Sequence, residues 1–233
     1  VFTPYWKAMR GMVVPPPGTL PNGARGVGDW PFSESLADWH LAAAMGRGAA
    51  VVAPHQAVGE GAARARLHHF LAGPLRGYAE LRDFPGVEGT SRLSENLTYG
   101  EIGIREVWHA ALRAQGEGLA GAEAFLRQLA WREFSHHLLF HEPTLAERNW
   151  KPGWDGFPWR GDNPDVMHWR QGMTGEPMVD AAMREMYVTG TMHNRARMIA
   201  ASYLTKHLLT DWRVGLAWFA DCLTDWDPAA NAL

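Results

Sequence analysis

Three hydroxyl side chains and one cation follow a glycine in the segment Gly89-Thr-Ser-Arg-Leu-Ser94. The segment stands directly before a predicted helix. Hydroxyls and backbone N–H groups at such a junction suit a phosphate, because the helix dipole favours an anion. Capping of the helix by Ser94 or Thr98 would use the same residue types. The local sequence therefore leaves phosphate binding and ordinary turn chemistry both open.

A second group of polar side chains lies on a predicted helix further along the chain. The spacing i, i+3, i+4 and i+7 places four of them on one helix face: Gln128, Trp131, Arg132 and Ser135. An amide, an indole and a guanidinium that project together can stack on a nucleobase and hydrogen-bond its edge. A solvent-facing surface with one edge of the indole tucked in is the alternative, and it needs no ligand.

Two further sets of residues could do chemistry. Asn194, Arg197 and Met198 share a helical stripe, where an Asn beside an Arg can satisfy an anion or a heterocycle edge. Polar residues on a helix surface also commonly have no specific partner. Asp225 and Asp227 stand one residue apart, and paired carboxylates serve acid–base catalysis or metal binding. Since neither a second acidic cluster nor a His at ligand spacing accompanies them, we predict no metal site.

Composition limits the class of protein. The 233 residues are 46% hydrophobic and 20% charged, and no apolar run approaches the roughly 20 residues of a membrane-spanning helix. The single Cys222 excludes an internal disulfide and favours a reducing, cytoplasmic setting. A net charge of −3 argues against a uniformly basic nucleic-acid binder but allows a local basic patch. The 12 Trp exceed ordinary usage, and core packing is one explanation for them.

Helical spacing dominates the chain after a Pro/Gly-rich stretch over residues 12–31, which we interpret as a linker or long loop. Strand-like alternation is almost absent, so the predicted fold class is all-α. The predicted helices are Gly61–Leu71, Pro74–Leu81, Ile104–Ala114, Ala122–His141, Pro164–Gln171, Pro177–Thr189, Met192–Leu209 and Arg213–Leu223.

Five segments, in this order and spacing, resemble the photolyase/cryptochrome family, and most closely its class I cyclobutane pyrimidine dimer photolyases. They are Gly89-Thr-Ser-Arg-Leu-Ser94, Trp131-Arg-Glu-Phe134, Asp180-Ala-Ala-Met-Arg184, Met192-His-Asn-Arg195 and Asp225-x-Asp227. The resemblance implies a multi-helix FAD-binding domain over residues 54–233. Residues 1–53 would be the end of an N-terminal domain and an interdomain linker, and the α/β antenna domain itself would be missing.

The resemblance also implies where a bent FAD would bind. Arg197 and Asp225 would pair beside the isoalloxazine ring, where a cation stabilises the reduced, anionic flavin. Asn231 would face the N5 edge of the ring. The residues that match FAD-contacting positions are Tyr78, Thr90, Ser91, Arg92, Leu93, Ser94, Arg197, Asp225, Asp227 and Asn231.

Damaged DNA is the partner that the resemblance implies, bound by a monomeric protein that needs no membrane. Blue light would excite reduced FAD, and the electron released would split a pyrimidine dimer flipped out of the duplex. Trp131 would stack on this dimer and Met198 would touch it. Gln128 and Asn194 match lesion-facing positions, while Arg82 and Arg195 match positions that hold DNA phosphates.

Trp159 and Trp212 match two members of the family's electron-transfer chain, and the third would lie just beyond Leu233. The intact protein would have room for an antenna chromophore of the folate or deazaflavin type. Because the missing parts would cover apolar surface, we expect the chain alone to be poorly stable, to retain FAD weakly and to be impaired as an enzyme.

Two positions bear on the choice among family members. Dimer-repairing members usually carry Glu where this chain has Gln128, and Gln is more typical of (6-4) photolyases and animal cryptochromes. Those relatives carry a second His where this chain has Asn194, which favours dimer repair. A cyclobutane dimer photolyase is therefore the preferred hypothesis, and a cryptochrome-like photoreceptor or a (6-4) photolyase are the alternatives.

Overall fold

A computed structural model of the chain describes residues 2–19, 28 and 31–232. Its first six α-helices are α1 (Phe2–Arg10), α2 (Ala49–Val52), α3 (Glu60–Ala72), α4 (Tyr78–Leu81), α5 (Ser94–Thr98) and α6 (Ile104–Gly116). The next six are α7 (Ala122–His141), α8 (Pro164–Arg170), α9 (Pro177–Thr189), α10 (Asn194–Ser202), α11 (Trp212–Cys222) and α12 (Pro228–Asn231). The described residues contain no β-strand, so the all-α prediction is confirmed. Within the same residues, no helix is long and apolar enough to cross a bilayer.

In the part of the chain that the structure describes, two hydrophobic cores hold the helices together. In the first, α3, α6 and α7 pack around Phe70, Trp108 and Phe125. In the second, α8 to α11 enclose Trp169 and Met183, both of which are completely buried. Each such side chain contributes about 1.5–3 kcal/mol when it leaves water.

The start of the chain packs on the first core. Trp6 and Met9 of α1 contact that core, and the ring of Phe2 stacks on Trp131 of α7 with 3.7 Å between ring centroids. Aromatic pairs of this kind add about 0.5–1.5 kcal/mol beyond the area they bury. The proposed domain boundary near residue 53 stays a prediction, but α1 contacts helices on the far side of it.

Hydrogen bonds from Arg47 hold the segment before α3 against the helices of the second core. Its guanidinium donates hydrogen bonds to the backbone carbonyls of Met186, Tyr187 and Cys222, at the C-terminal ends of α9 and α11. A cation is favourable there because the carbonyl ends of helices carry partial negative charge. Of the Pro/Gly-rich stretch 12–31, residues 20–27, 29 and 30 lie outside the described residues.

The predicted single helix Met192–Leu209 is wrong in its bounds. The structure begins α10 at Asn194, because the ring of His193 accepts a hydrogen bond from the backbone N–H of Arg195 and caps the helix. A π-helical turn at Tyr203–His207 follows α10, and Leu209 then adopts a positive φ of 53°. Helices α1, α2 and α12 were not predicted. With four residues each, α2 and α12 are too short for apolar periodicity to identify them.

Candidate functional site

The hydroxyl-bearing loop before α5 combines an unusual backbone with accessible donors. Arg92 has a φ of 51°, in the left-handed region that a non-glycine residue rarely adopts. Arg66 of α3 holds this turn in place by donating to the Arg92 carbonyl at 3.0 Å. Thr90 and Ser91 are half-buried, whereas Ser94 is exposed. A positive-φ residue next to a helix start turns successive N–H groups to one side, which makes a concavity suited to an anion.

Gly89 allows this loop to approach α4 closely. A Cβ atom at this position would lie 2.7 Å from the backbone oxygen of Leu81, so no other residue fits without moving the backbone. Leu93 is buried and anchors the other end of the loop in the first core. The loop is therefore fixed at both ends, with its hydroxyls left between them.

Arg197 and Asp225 form the most buried ion pair of the candidate site. The Nη2 atom of Arg197 lies 2.8 and 2.7 Å from the two carboxylate oxygens of Asp225, whose residue is 5% exposed. Arg197 also donates to the side-chain oxygen of Asn231 at 3.3 Å and to the Met192 carbonyl at 2.9 Å. The charge is thus paired, and its guanidinium is fixed in one orientation beside Asn231.

A partly buried hydrogen bond joins the loop's helix to this ion pair. The hydroxyl of Thr224, next to Asp225, donates to a carboxylate oxygen of Glu95 on α5 at 2.7 Å. Glu95 is 6% exposed, and Arg66 pairs with its other oxygen at 3.0 Å. The backbone N–H of Thr224 donates to the carbonyl of Gly190 at 2.8 Å. Sequence reasoning missed Glu95 and Thr224, because their 129-residue separation leaves no local pattern.

Asp227 caps the short helix that carries Asn231. Its carboxylate accepts hydrogen bonds from the backbone N–H groups of Ala229 and Ala230, at 2.8 and 3.4 Å. The Asn231 side chain donates back to the Asp227 carbonyl at 3.0 Å. The Nε2 atom of His136 on α7 is 3.0 Å from Asp227, but its orientation does not meet hydrogen-bond geometry. Asp227 therefore serves first as a helix cap.

The predicted polar face of α7 is only partly available to a ligand. Arg132 pairs with Glu133 at 2.9 Å, and the Ser135 hydroxyl donates to the Trp131 carbonyl at 3.0 Å. Trp131 is 40% exposed although Phe2 stacks on one of its faces, and Gln128 is half-buried. Gln128 and Trp131 thus remain candidates for contact with a ligand, while Arg132 and Ser135 bond within the helix.

Tyr78 lies in the first core rather than on the loop. Its ring packs edge-to-face with Phe70 and Phe125, at 5.4 Å between centroids in both pairs. Burial raises the pKa of the Tyr78 hydroxyl, and the nearby charge of Arg82 opposes this change. Through its ring, Tyr78 positions Arg82, whose guanidinium lies 5.9 Å from the ring centroid.

On α10, the predicted DNA-facing residues lie close together. Arg195 Nη1 is 3.7 Å from the sulfur of Met198, and the Asn194 amide is 4.0 Å from the same atom. Asp83 lies between Arg195 and Arg82 and contacts both guanidinium groups. A groove of about 520 Å³ adjoins this cluster, with Arg195 and Met198 in its wall. The structure therefore brings the α4 and α10 candidates to one surface.

The two tryptophans of the expected electron-transfer chain have polar and aromatic neighbours. The indole N–H of Trp212 donates to the side chain of Asn149 at 2.7 Å, and Arg213 lies 4.7 Å from its ring centroid. Trp159 packs with Phe157 at 4.3 Å and with Trp154 at 6.1 Å between centroids. Both indoles are half-buried.

Known proteins are similar to this chain in sequence. Residues 125–233 match the family described as the FAD binding domain of DNA photolyase. Along its whole length the chain is 45% identical to the deoxyribodipyrimidine photo-lyase of Agrobacterium fabrum, of which it covers 49%. The chain thus spans about half the length of the curated relatives that it matches over its full extent.

Crystal structures give the same result. A bacterial class III photolyase from Agrobacterium tumefaciens is similar over 100% of this chain and 48% of its own, with a TM-score of 0.92 and 45% identity. The cryptochrome of Synechocystis sp. PCC6803 is similar over 75% of this chain and 37% of its own, with a TM-score of 0.70 and 34% identity.

Thr224→Val tests the hydrogen bond between the loop helix and the ion pair. The change keeps the side-chain volume but leaves Glu95 short of a donor, so we expect the free energy of unfolding to fall by about 1–3 kcal/mol. Urea denaturation followed by circular dichroism measures it. Thr224→Ser keeps the hydroxyl and should stay within about 0.5 kcal/mol of wild type. Equal stability of the Val variant and wild type would contradict the role given to this bond.

From the environment of His193 we predict that the free energy of unfolding depends on pH. Burial, together with the charges of Arg195 and Arg197, holds the pKa of His193 below its ordinary value of 6.5, against the opposing effect of Asp83. The unfolded chain therefore takes up a proton at higher pH than the folded chain. The stabilisation is complete above pH 6.5 and is lost as the pH falls through the folded pKa.

His193→Asn should weaken this pH dependence, because Asn caps a helix well and does not titrate. We expect wild type to lose more unfolding free energy than the variant between about pH 7.5 and pH 5.5. Urea denaturation at the two pH values gives the comparison. If both proteins lose the same amount, His193 does not titrate as its environment requires.

Proposed function

The chain belongs to the DNA photolyase family through its FAD-binding helical domain, and from this premise we propose that the intact protein repairs cyclobutane pyrimidine dimers in DNA under blue light. It would act as a carbon–carbon lyase. The observation that carries the proposal is that Arg197 contacts both Asp225 and Asn231, in a site that also contains the hydroxyl loop. The chain that holds this site is 45% identical to a named photolyase along its entire length.

The residues present fit an FAD molecule. Thr90, Ser91 and Ser94 supply hydroxyl donors beside the positive-φ turn at Arg92, which suits a diphosphate. Arg197 supplies a fixed cation and Asn231 an amide, which suit the polar edge of a flavin. When bound and reduced, FAD would supply the photoexcited electron that splits the dimer.

The contribution of the chain's own residues is electrostatic. The Asp225 carboxylate keeps the Arg197 guanidinium in place, and water is largely excluded because Asp225 is buried. A charge held in such surroundings interacts more strongly with a bound anion than it would in water. Asp227 and the α12 cap hold Asn231 against the same guanidinium. The cluster is therefore preorganised: Arg197 and Asn231 are fixed in orientation for polar contacts with a bound ring system, while Asp225 offsets the charge of Arg197.

The DNA-facing roles rest on the residues that surround Trp131 and α10. Trp131 offers a partly exposed indole that Phe2 holds from behind, so it can stack on a flipped base without reordering. Met198 and Asn194 lie beside Arg195, where we propose that the dimer and its phosphates meet. Flipping costs less for a damaged and poorly stacked pair, which supports selectivity for lesions.

Several finer assignments remain predictions of this proposal. Trp159 and Trp212 would carry electrons towards the flavin, and a folate or deazaflavin antenna would belong to the intact protein. The class I assignment from the motifs also stays a prediction, because the similar Agrobacterium structure is named a class III photolyase. The similarity to a Synechocystis cryptochrome supports a photoreceptor as the second candidate function, and Gln128 favours the same alternative.

Repair of dimer-containing DNA by the full-length, FAD-loaded protein tests the proposal. We expect loss of dimers under blue light and none in darkness. Gln128→Glu should raise the repair rate about two- to tenfold, because a carboxylate forms stronger hydrogen bonds to the dimer than an amide does. Gln128→Leu, which keeps the approximate size but cannot hydrogen-bond, should lower it.

Substrates with cyclobutane dimers and with (6-4) products separate the alternatives. Repair of (6-4) products alone would show that these, and not cyclobutane dimers, are the substrate. If the protein contains flavin but repairs neither lesion, the proposed enzyme activity is contradicted and the photoreceptor alternative is supported. A protein that binds no flavin would contradict the cofactor proposal itself.

A further inference from the structure

A single carboxylate stands between the two arginines that we assign to DNA phosphates. Oδ1 of Asp83 lies 2.9 Å from Nε and 2.8 Å from Nη2 of Arg195, and 3.3 Å from Nε of Arg82. Arg82 follows α4 and Arg195 lies on α10, 113 positions later in the chain. Asp83 thus joins cations from distant parts of the sequence on one surface.

The contact occupies a particular edge of Arg195. The Nε–Nη2 edge of a guanidinium is one of the edges that grips a phosphate or carboxylate through two parallel hydrogen bonds. In this structure a single carboxylate oxygen of Asp83 occupies this edge: it accepts a hydrogen bond from Nε at 2.9 Å and lies 2.8 Å from Nη2, while Nη1 faces the sulfur of Met198 at 3.7 Å. A DNA phosphate that needs this edge must displace Asp83.

Charge and exposure support the same conclusion. The side chains of Arg82, Asp83 and Arg195 are 23%, 44% and 38% exposed, so all three can be reached by a strand at the surface. Burial opposes ionisation of Asp83, but the hydrogen bond from Arg195 and the charge of Arg82 hold the pKa of the carboxyl below its ordinary value. The carboxylate is therefore charged at neutral pH, and the three groups together carry one positive charge instead of two.

We propose that Asp83 is an internal competitor of the DNA backbone, which occupies the phosphate-binding edge of Arg195 and thereby limits the affinity of the protein for DNA. This inference rests on the proposed function, since it assumes that Arg82 and Arg195 face phosphates. Phosphate contacts supply affinity that does not depend on sequence. Asp83 therefore restrains general DNA binding and speeds release of repaired DNA.

Asp83→Asn removes the charge and keeps the shape. We expect the full-length, FAD-loaded variant to bind an undamaged duplex about three- to tenfold more tightly at about 50 mM salt, because the edge of Arg195 that Asp83 occupies becomes available to one phosphate. The slope of log affinity against log salt concentration should steepen by about 0.9, the value for one added phosphate contact. Fluorescence anisotropy of a labelled duplex measures both quantities.

Two variants separate this mechanism from a general effect of charge. Glu80→Gln removes an exposed carboxylate of α4 that lies outside the cluster, so it should change the affinity less than twofold, within about 0.4 kcal/mol. In an Arg195→Gln background, Asp83→Asn should give no gain, because the edge that Asp83 occupies is absent.

Unchanged or weaker binding by Asp83→Asn would overturn the inference while leaving the proposed function intact. A gain that survives in the Arg195→Gln background would also overturn it. If wild type and variant alike fail to bind DNA, the DNA-binding part of the proposed function fails and this inference fails with it. Light-driven repair by wild type, measured on the same preparation, distinguishes the two failures.

Discussion

The ion pair between Arg197 and Asp225 is the interaction on which the site depends. It holds two charges largely out of water, and such a pair is tolerated only when both partners are well satisfied. Loss of one partner from a buried pair costs about 3–5 kcal/mol. The surrounding contacts favour this condition, since Asn231 accepts a hydrogen bond from Nη1 and the Met192 carbonyl accepts one from Nε.

Much of the nearby architecture serves to bring these groups together. Thr224 fixes the backbone next to Asp225 to α5, so the hydroxyl loop and the ion pair keep a constant separation. Arg66 supports the same helix and the positive-φ turn at Arg92. A cofactor with a charged diphosphate at one end and an electron-accepting ring at the other needs such a fixed separation. The fold therefore explains how the hydroxyl loop and the Arg197–Asp225 pair are held at a fixed separation.

The sequence predicted the long elements well and the connections between them poorly. Apolar spacing located Ala122–His141 with the bounds that the structure has, because twenty residues give a clear helical period. The π-helical turn at Tyr203–His207 has no distinct periodic pattern in the sequence, so the predicted helix extended past the end of α10. The family resemblance named Arg197, Asp225 and Asn231 as candidates, and the structure brings them into contact. The roles of Arg47 and Glu95 were not predicted, since Met186 and Thr224, which they contact, lie more than 120 residues away in the sequence.

FAD binding by wild type and Asp225→Asn tests the central claim most directly. The variant keeps the side-chain size but no longer neutralises Arg197, so the guanidinium loses its fixed position. Titration of FAD into the flavin-free full-length protein should give one site in wild type and at least about tenfold weaker binding in the variant, with helical content unchanged by circular dichroism. Equal FAD affinity in both proteins would show that the ion pair does not organise the site, and would contradict the account given above.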